Sequence, residues 1–419
     1  MFSLKNEEKY VKLVLAITCL LFFLICIISI FIYGNSTLLG SLIKPNNDDV
    51  KFIRSAWILV DTGKYVYHNV DISTVFMMPG LPFTLAFFVK IFGNFGGITA
   101  LRVLQAVIQT GSLLVMFFIA RKIFNSRVAL VAILINILCI TDYWVANLIL
   151  TETIFKFSVL CLVYFSIYAI ELNKTRYYIL GGIALGLATL FRPTIATYPI
   201  IILLMWIFKK YKVKDMIKYT AIVAAIFCLI LSPWWIRNYN RFHKFIPLTL
   251  ATGNPMLQGT YIFYDQSTKA TDGLNYNQFN YNSDSEMKGN QIDIEVSKYR
   301  LRNLVPKHPI QYFLWYTVGK TACMIGWPFV WIQSWGVLIW TGIWHYFILV
   351  VSILGLIKYY KDKNRNKMGT VLVATIFYFI GVYLPFYAFG RYFYPAMPFV
   401  IIFAASSLIQ IFDYHKKKN

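Results

Sequence analysis

Charge is scarce in this sequence, and negative charge scarcest of all. Of 419 residues 14% are charged, with 40 Lys or Arg against 18 Asp or Glu. Soluble domains carry about 25% charged residues. A deficit of that size along the whole chain leaves too little polar surface to cover a globule in water, which excludes a soluble protein. Cysteine offers no framework either. Cys19, Cys26, Cys139, Cys161, Cys228 and Cys323 lie in or beside apolar segments, without metal-ligand spacing. His68, His243, His308 and His345 form no His-Glu-x-x-His or comparable pattern, so no role is assigned to them. No internal repeat stands out, which argues against a transporter built on inverted repeats. No small-residue cleavage site follows the first apolar run, and that run is too long for a signal sequence; it reads as a retained anchor.

What the chain has in abundance is apolar length. Hydrophobic residues make up 58% of it and the mean hydropathy is +0.60. Blocks such as 13–33, 128–140 and 346–357 approach the roughly 20 residues that cross a hydrocarbon core. The net charge of +22 sits in short loops between these blocks, the pattern of membrane topology and not of a nucleic-acid footprint. Six basic clusters belong in the cytoplasm by the positive-inside rule: Lys5 to Lys12, Arg121 to Arg127, Lys174 with Arg176, Lys209 to Lys218, Lys358 to Lys367, and Lys416 to Lys418.

Threading the chain through those points gives an all-α polytopic membrane protein with about ten transmembrane helices and both termini cytoplasmic. The spans fall at about 12–34, 99–120, 127–145, 148–170, 177–191, 194–208, 217–235, 336–357, 369–388 and 393–412. Residues 76–93 and 311–332 resist this scheme and read as interfacial helices at the outer surface. Three regions follow: an N-terminal module, 1–235, with a first outer loop at about 34–98; an outer polar loop and interfacial helix, 236–335; and C-terminal helices, 336–419. The Lys-, Ile-, Asn- and Tyr-rich composition fits a prokaryotic cytoplasmic membrane.

Two polar segments, 35–75 and 237–309, then lie on one outer side, as a scaffold presenting a chemical site would have them. Ionisable residues at that level are costly and therefore informative. They are Asp48 and Asp49, Glu152, and the arginines Arg102, Arg192, Arg237 and Arg391. Each also has a plain structural reading. The aspartates would cap a helix, Glu152 would pair with an arginine or with Lys156 one turn on, and the arginines would reach for headgroups. No Asp-x-Asp occurs in the outer loops, and the nearest acidic cluster is Asp284-Ser285-Glu286.

Several short motifs run through the chain in order. Asp48-x3-Phe52-x3-Ala56 precedes Gly63-Lys64-Tyr65 and Met78-Pro79-Gly80-Leu81-Pro82. Arg102 with Gln105, Leu150-Thr151-Glu152 and Phe191-Arg192-Pro193-Thr194 come next. Pro233-Trp234-x2-Arg237-Asn238, Thr252-Gly253-Asn254 with Gly259, and Arg391-Tyr392-x2-Pro395-x2-Pro398 complete the series. In this order and spacing the chain resembles the GT-C-type glycosyltransferases that use polyprenyl-phosphate sugars, the group of the protein O-mannosyltransferases and the lipid A aminoarabinose transferase. One departure is the Met77-Met78 pair, where the aminoarabinose branch carries Glu-Lys; it weakens a lipid A assignment.

The resemblance implies a GT-C-like bundle, a polyprenyl-phosphate-linked sugar as donor, and a hydroxyl acceptor on protein, lipid or glycan. It implies Asp48 as the catalytic base, with Asp49 as the fallback if the register is off by one, and Glu152 as a second catalytic-site carboxylate. Arg237 and Arg391 would hold the lipid phosphate, with Arg102 and Arg192 behind them and Tyr65 joining the substrate-binding set. No cofactor and no metal are expected. A polymerase or ligase acting on a lipid-linked oligosaccharide, a lipid or solute transporter, and a non-catalytic scaffold are the competing readings. Donor size, charge deep in mid-membrane, and tolerance of Asp48 substitution separate them.

Overall fold

The computed structural model describes residues 2–280, 285–331 and 334–418, and these are helical with no strand among them. Helix α1 (Lys9–Tyr33) shows how the bundle is made. Val11, Leu15, Thr18, Phe22, Cys26 and Ile30 recur at helical spacing and are buried. Leu13, Ile17, Leu20, Leu24, Ile28 and Phe31 on the other faces stay exposed. A helix apolar on all sides but packed on one is a lipid-facing span. Among the described residues six helices are long and apolar enough to cross a membrane, or seven if one bent pair counts as a span. Three shorter apolar segments, Thr175–Phe191, Pro193–Phe208 and Gly369–Gly381, occupy places where the sequence put further crossings. This is a multi-pass membrane protein.

Helix α2 (Asp48–Thr62) follows the first span. Asn47 provides its cap, accepting from the Asp48 N–H, and Gly63 ends it in a left-handed conformation. The aspartates therefore fill the first turn, where negative charge suits the helix dipole, and do not serve as the cap expected of them.

Helix α3 (Gly80–Ile123) joins two segments that the sequence separated, an interfacial helix and the second span. Gly93 breaks it, at φ 75° and ψ 176°. Past the break the backbone of Gly97 lies against that of Val89, where an added Cβ would meet it at 2.6 Å. Gly80, at the start of α3, abuts the Leu190 carbonyl in the same way, at 2.5 Å. The third expected span is also two pieces, α4 (Ser126–Ile137) and α5 (Ile140–Asn147), bent by 62°.

The bundle continues with α6 (Glu152–Leu172), α7 (Thr175–Phe191), α8 (Pro199–Phe208) and α9 (Val213–Phe242), the last running beyond residue 235. Short α10 (Gly253–Gly259) and long α11 (Glu286–Leu304) pack together in the polar segment. Residues 309–325 form α12 (Pro309–Leu314) and α13 (Lys320–Ile325) around one wide turn, where the second interfacial helix was expected. Then come α14 (Trp335–Lys361), α15 (Gly369–Gly381), α16 (Gly390–Phe393) and α17 (Met397–Lys418).

The basic loops gather at one end. Lys122 pairs with Glu171 at 2.7 Å, Arg121 with Glu7 at 2.9 Å, and Asn366 donates to the Lys122 carbonyl at 2.9 Å. The first loop, the start of α6, the end of α7 and α16 meet at the opposite end.

Candidate active site

Four charged side chains from distant parts of the chain join at that second end. Asp48 Oδ2 accepts from Arg391 Nη1 at 2.9 Å. Arg391 Nε donates to Glu152 Oε1, and Arg192 Nη2 donates to the same oxygen. Arg192 Nε is fixed by the Thr151 hydroxyl at 3.0 Å. The result is an alternating chain, Asp48–Arg391–Glu152–Arg192, in which every charge has an opposite neighbour. Burial of such groups is tolerable on that condition. Glu152 is fully enclosed, whereas the Asp48 side chain keeps 38% of its surface open. The chain's one half-exposed carboxylate is thus the one that a reactant can reach.

Local structure explains each placement. Glu152 opens α6, and Arg192 follows the end of α7, where Pro193 forbids a further helical turn. Arg391 sits in the one-turn α16 before Pro395. Asp48 is aimed from the start of α2. Its other oxygen, Oδ1, accepts from the Tyr67 hydroxyl at 2.7 Å. Tyr67 is held in turn by stacking on Phe76, centroids 5.6 Å apart. Burial pushes the Asp48 pKa up, but Arg391 and the Tyr67 hydrogen bond outweigh it and leave the carboxyl below its usual range.

The arrangement lines a cavity of about 290 Å³. Asp48, Arg192 and Arg391 form its charged wall, and Phe76, Met77, Phe191, Tyr387 and Tyr392 are among the apolar and aromatic residues that line the rest. Glu152 stands behind the wall and grips the two arginines, while its second oxygen has no partner among the described residues.

The remaining residues nominated by sequence lie elsewhere. Asp49 is fully buried, with Oδ2 accepting from the Leu39 N–H at 2.6 Å, and burial raises its pKa. Arg102 holds the Asn147 carbonyl and the Asn35 side chain, each at 2.8 Å. Arg237 donates to the Thr74 carbonyl at 2.7 Å and lies over the Tyr65 and Trp234 rings. Tyr65 donates to the Met77 and Met78 carbonyls at 3.0 and 3.2 Å. These three brace the loop framework around the cavity without lining it. Of the acidic cluster 284–286, Asp284 lies outside the described residues. Glu286 accepts from Thr74 at 2.7 Å and contacts His68 at 3.2 Å, so it ties α11 to the first loop.

Of the two partners open to Glu152, the arginines take it, and Lys156, one turn deeper on α6, reaches Asp142 at 2.8 Å instead. Tyr67 and Asp142 were absent from the sequence-based set. Asp142 was findable, as a carboxylate within an apolar span. Tyr67 carried a weaker signal, an aromatic two residues beyond Tyr65 in an extended segment whose residues 65–67 are all buried.

Residues 78–236, well under half of the chain, match the family model described as dolichyl-phosphate-mannose-protein mannosyltransferase. The oligosaccharyltransferase of Archaeoglobus fulgidus in its apo form aligns with 100% of this chain and 52% of its own length, at 14% identity and TM-score 0.57. The chain has the GT-C fold. The same archaeal protein tethered to an acceptor peptide containing the NVT sequon aligns with 97% of this chain and 50% of its own length, at 12% identity and TM-score 0.54. The chain therefore spans about half of that relative. ArnT from Cupriavidus metallidurans bound to undecaprenyl phosphate aligns over 96% of this chain and 77% of its own, at 13% identity and TM-score 0.45. No curated protein matches the chain. The resemblance read from the motifs thus meets an independent match to a family model and a match of fold.

Proposed function

We propose that this protein is a membrane glycosyltransferase that moves a sugar from a polyprenyl-phosphate donor to a hydroxyl acceptor, with Asp48 as general base. The observation that carries this reading is the Asp48–Arg391–Glu152–Arg192 chain, which brings Asp48, Arg391 and Arg192 to the wall of an open amphiphilic cavity. A hydroxyl is a poor nucleophile near neutral pH, and a placed carboxylate that takes its proton is worth roughly 10²–10⁴-fold. In-line attack at C1 forms the new C–O bond as the bond to the lipid phosphate breaks, so the anomeric centre inverts and Asp48 ends protonated. The departing phosphate gains negative charge. Arg391 uses Nε and Nη1 on carboxylates, and Arg192 uses Nε and Nη2. Each guanidinium therefore keeps donors in hand for phosphate oxygens.

Asp48 and Glu152 already share Arg391, and among the described residues no three His, Cys, Asp or Glu converge as a ligand set would. A cavity of about 290 Å³ is at the small end of ligand pockets, which favours a single sugar over a lipid-linked oligosaccharide. By the positive-inside rule the basic end faces the cytoplasm, which puts the cavity at the outer leaflet, where a lipid-borne donor arrives sideways.

The test uses purified wild type and Asp48→Asn in nanodiscs, incubated with radiolabelled undecaprenyl-phosphate hexoses and pentoses and a cell-envelope extract. Wild type is expected to move label off the lipid, and Asp48→Asn to lose roughly 10²–10⁴-fold while staying folded. Equal activity in the variant removes Asp48 from the role of base. Failure to consume any donor removes the glycosyltransferase reading.

A further inference from the structure

Below the arginine–carboxylate chain lies a second polar cluster that the proposed reaction leaves unused. Lys156 Nζ donates to Asp142 Oδ1 at 2.8 Å, and the two side chains are only 2% and 6% exposed. The Tyr394 hydroxyl donates to the same oxygen at 2.6 Å and accepts from Gln109 Nε2 at 2.8 Å. Asn136 donates to Asp142 Oδ2 at 2.6 Å. Lys156 also lies over the Tyr394 ring, 4.7 Å from its centroid. Asp142 occupies the first turn of α5, where the helix dipole favours a carboxylate.

Such a cluster in the interior of a membrane bundle is not explained by stability alone. A buried ion pair is often no more stabilising than apolar side chains of the same volume. Its membership suggests a different use. Lys156 follows Glu152 by one turn on α6, and Tyr394 follows Arg391 by one turn in the segment after α16. The upper cluster joins Glu152 to Arg391, and the lower joins Lys156 to Tyr394 through Asp142. The same two elements are therefore pinned together twice, at successive levels.

We propose that Asp142, Lys156 and Tyr394 are positioning residues that fix α6 against the 390–396 segment and thereby set the Arg391–Asp48 contact. The proposal rests on the function proposed above for its catalytic consequence, but its structural part stands apart from it. A shift of about 1 Å at a reacting group far from the mutated residue is enough to cost up to roughly 10²-fold in rate. If the lower pin loosens, Glu152 carries Arg391 away from Asp48. The groups facing Asp48 are Arg391 and Tyr392 from α16, Tyr67 from the first loop, and Lys51 and Asp49 from its own helix. Loss of the Arg391 contact removes a cation and so makes Asp48 easier to protonate.

Full-length wild type, Tyr394→Phe, Lys156→Met and the Asp142→Asn/Lys156→Met double variant are compared in nanodiscs by two readouts. One is the pH dependence of carbodiimide labelling at Asp48, read by peptide mass spectrometry, which reports protonation without any sugar donor. The other is kcat and KM for transfer from radiolabelled undecaprenyl-phosphate sugars. Tyr394→Phe changes no charge and removes one hydroxyl, so it decides the matter even if the lysine variants fail to fold. It is expected to move the Asp48 labelling midpoint to higher pH and to lower kcat about tenfold with KM within about twofold. A labelling midpoint that stays at the wild-type value in Tyr394→Phe overturns the proposal, whether or not kcat falls. If the wild type transfers no sugar yet the midpoint moves, the proposed function fails while the coupling between the two clusters stands.

Discussion

At the scale of single residues, the site holds Asp48 ionised more firmly than the general-base role proposed for it alone requires. A carboxylate kept below its usual range by Arg391 and Tyr67 is charged at every physiological pH, but it is also a weaker proton acceptor. The resolution lies in what Arg391 does when a donor is present. Under the proposed function, a donor phosphate entering beside Arg391 would draw on the same guanidinium and bring negative charge near Asp48, and both effects would raise the basicity of the carboxylate. Tyr67 is the part of this grip that the donor does not compete for. Its hydroxyl bonds the charged form of Asp48, so its removal raises the Asp48 pKa. For Tyr67→Phe the acidic limb of kcat/KM should therefore move to higher pH, with activity above the limb kept within about tenfold of wild type. A pH–rate series from about 3 to 8 measures this. A limb that stays in place would mean that some group other than Asp48 titrates.

At the scale of elements, the loop 63–79 is the piece that has to be held, because it supplies Tyr67 and the Met77–Met78 wall. It is clamped from three sides. Arg237 and Arg241 on α9 reach the Thr74 carbonyl and the Ser73 hydroxyl at 2.7 and 3.0 Å. Glu286 on α11 accepts from Thr74, and the Leu250 N–H donates to the Val75 carbonyl at 3.0 Å. Arg237 therefore acts on the framework, while Arg391 holds Asp48 and Glu152, the carboxylates of the proposed site. Arg237→Ala should lower the melting temperature by several degrees, leaving kcat of the folded protein within about tenfold. Arg391→Lys should do the reverse, because a lysine cannot bridge Asp48 and Glu152 as the guanidinium fork does. Thermal unfolding and initial rates on the same samples compare the two, and a kcat loss in Arg237→Ala as deep as in Arg391→Lys would return Arg237 to the phosphate site. Helix positions of this kind were readable from apolar block length and basic loops. The corners were not. The break at Gly93 and the bend between α4 and α5 depend on close backbone approach and on the Asn136–Asp142 bond, which a hydropathy pattern does not encode.

At the scale of the whole molecule, the chain has two unlike poles, and the assignment of function depends on which pole faces which solution. Outer-level charge and the family motifs nominated Asp48 and Glu152, put Arg237 and Arg391 ahead of Arg102 and Arg192 for the lipid phosphate, and added Tyr65. The cavity orders the arginines differently, since Arg192 and Arg391 line it and Arg237 does not. The choice depends on a meeting of residues as far apart as Asp48 and Arg391, which only packing brings to 2.9 Å. The poles themselves are set by charge, with the loops around Lys122, Lys174, Lys209 and Lys363 at one end and the cavity at the other. The positive-inside rule then predicts a distinct labelling pattern. In a cysteine-free background, Gln266→Cys and Lys363→Cys each place a thiol at an exposed position, one in the polar segment near the cavity and one in a basic loop. An impermeant maleimide applied to intact cells should label the first and reach the second only after permeabilisation. The opposite pattern would put the cavity on the cytoplasmic side, where nucleotide-activated sugars replace a lipid-borne donor as the reachable substrate, and the roles proposed for Arg192 and Arg391 would have to be rebuilt around a soluble diphosphate.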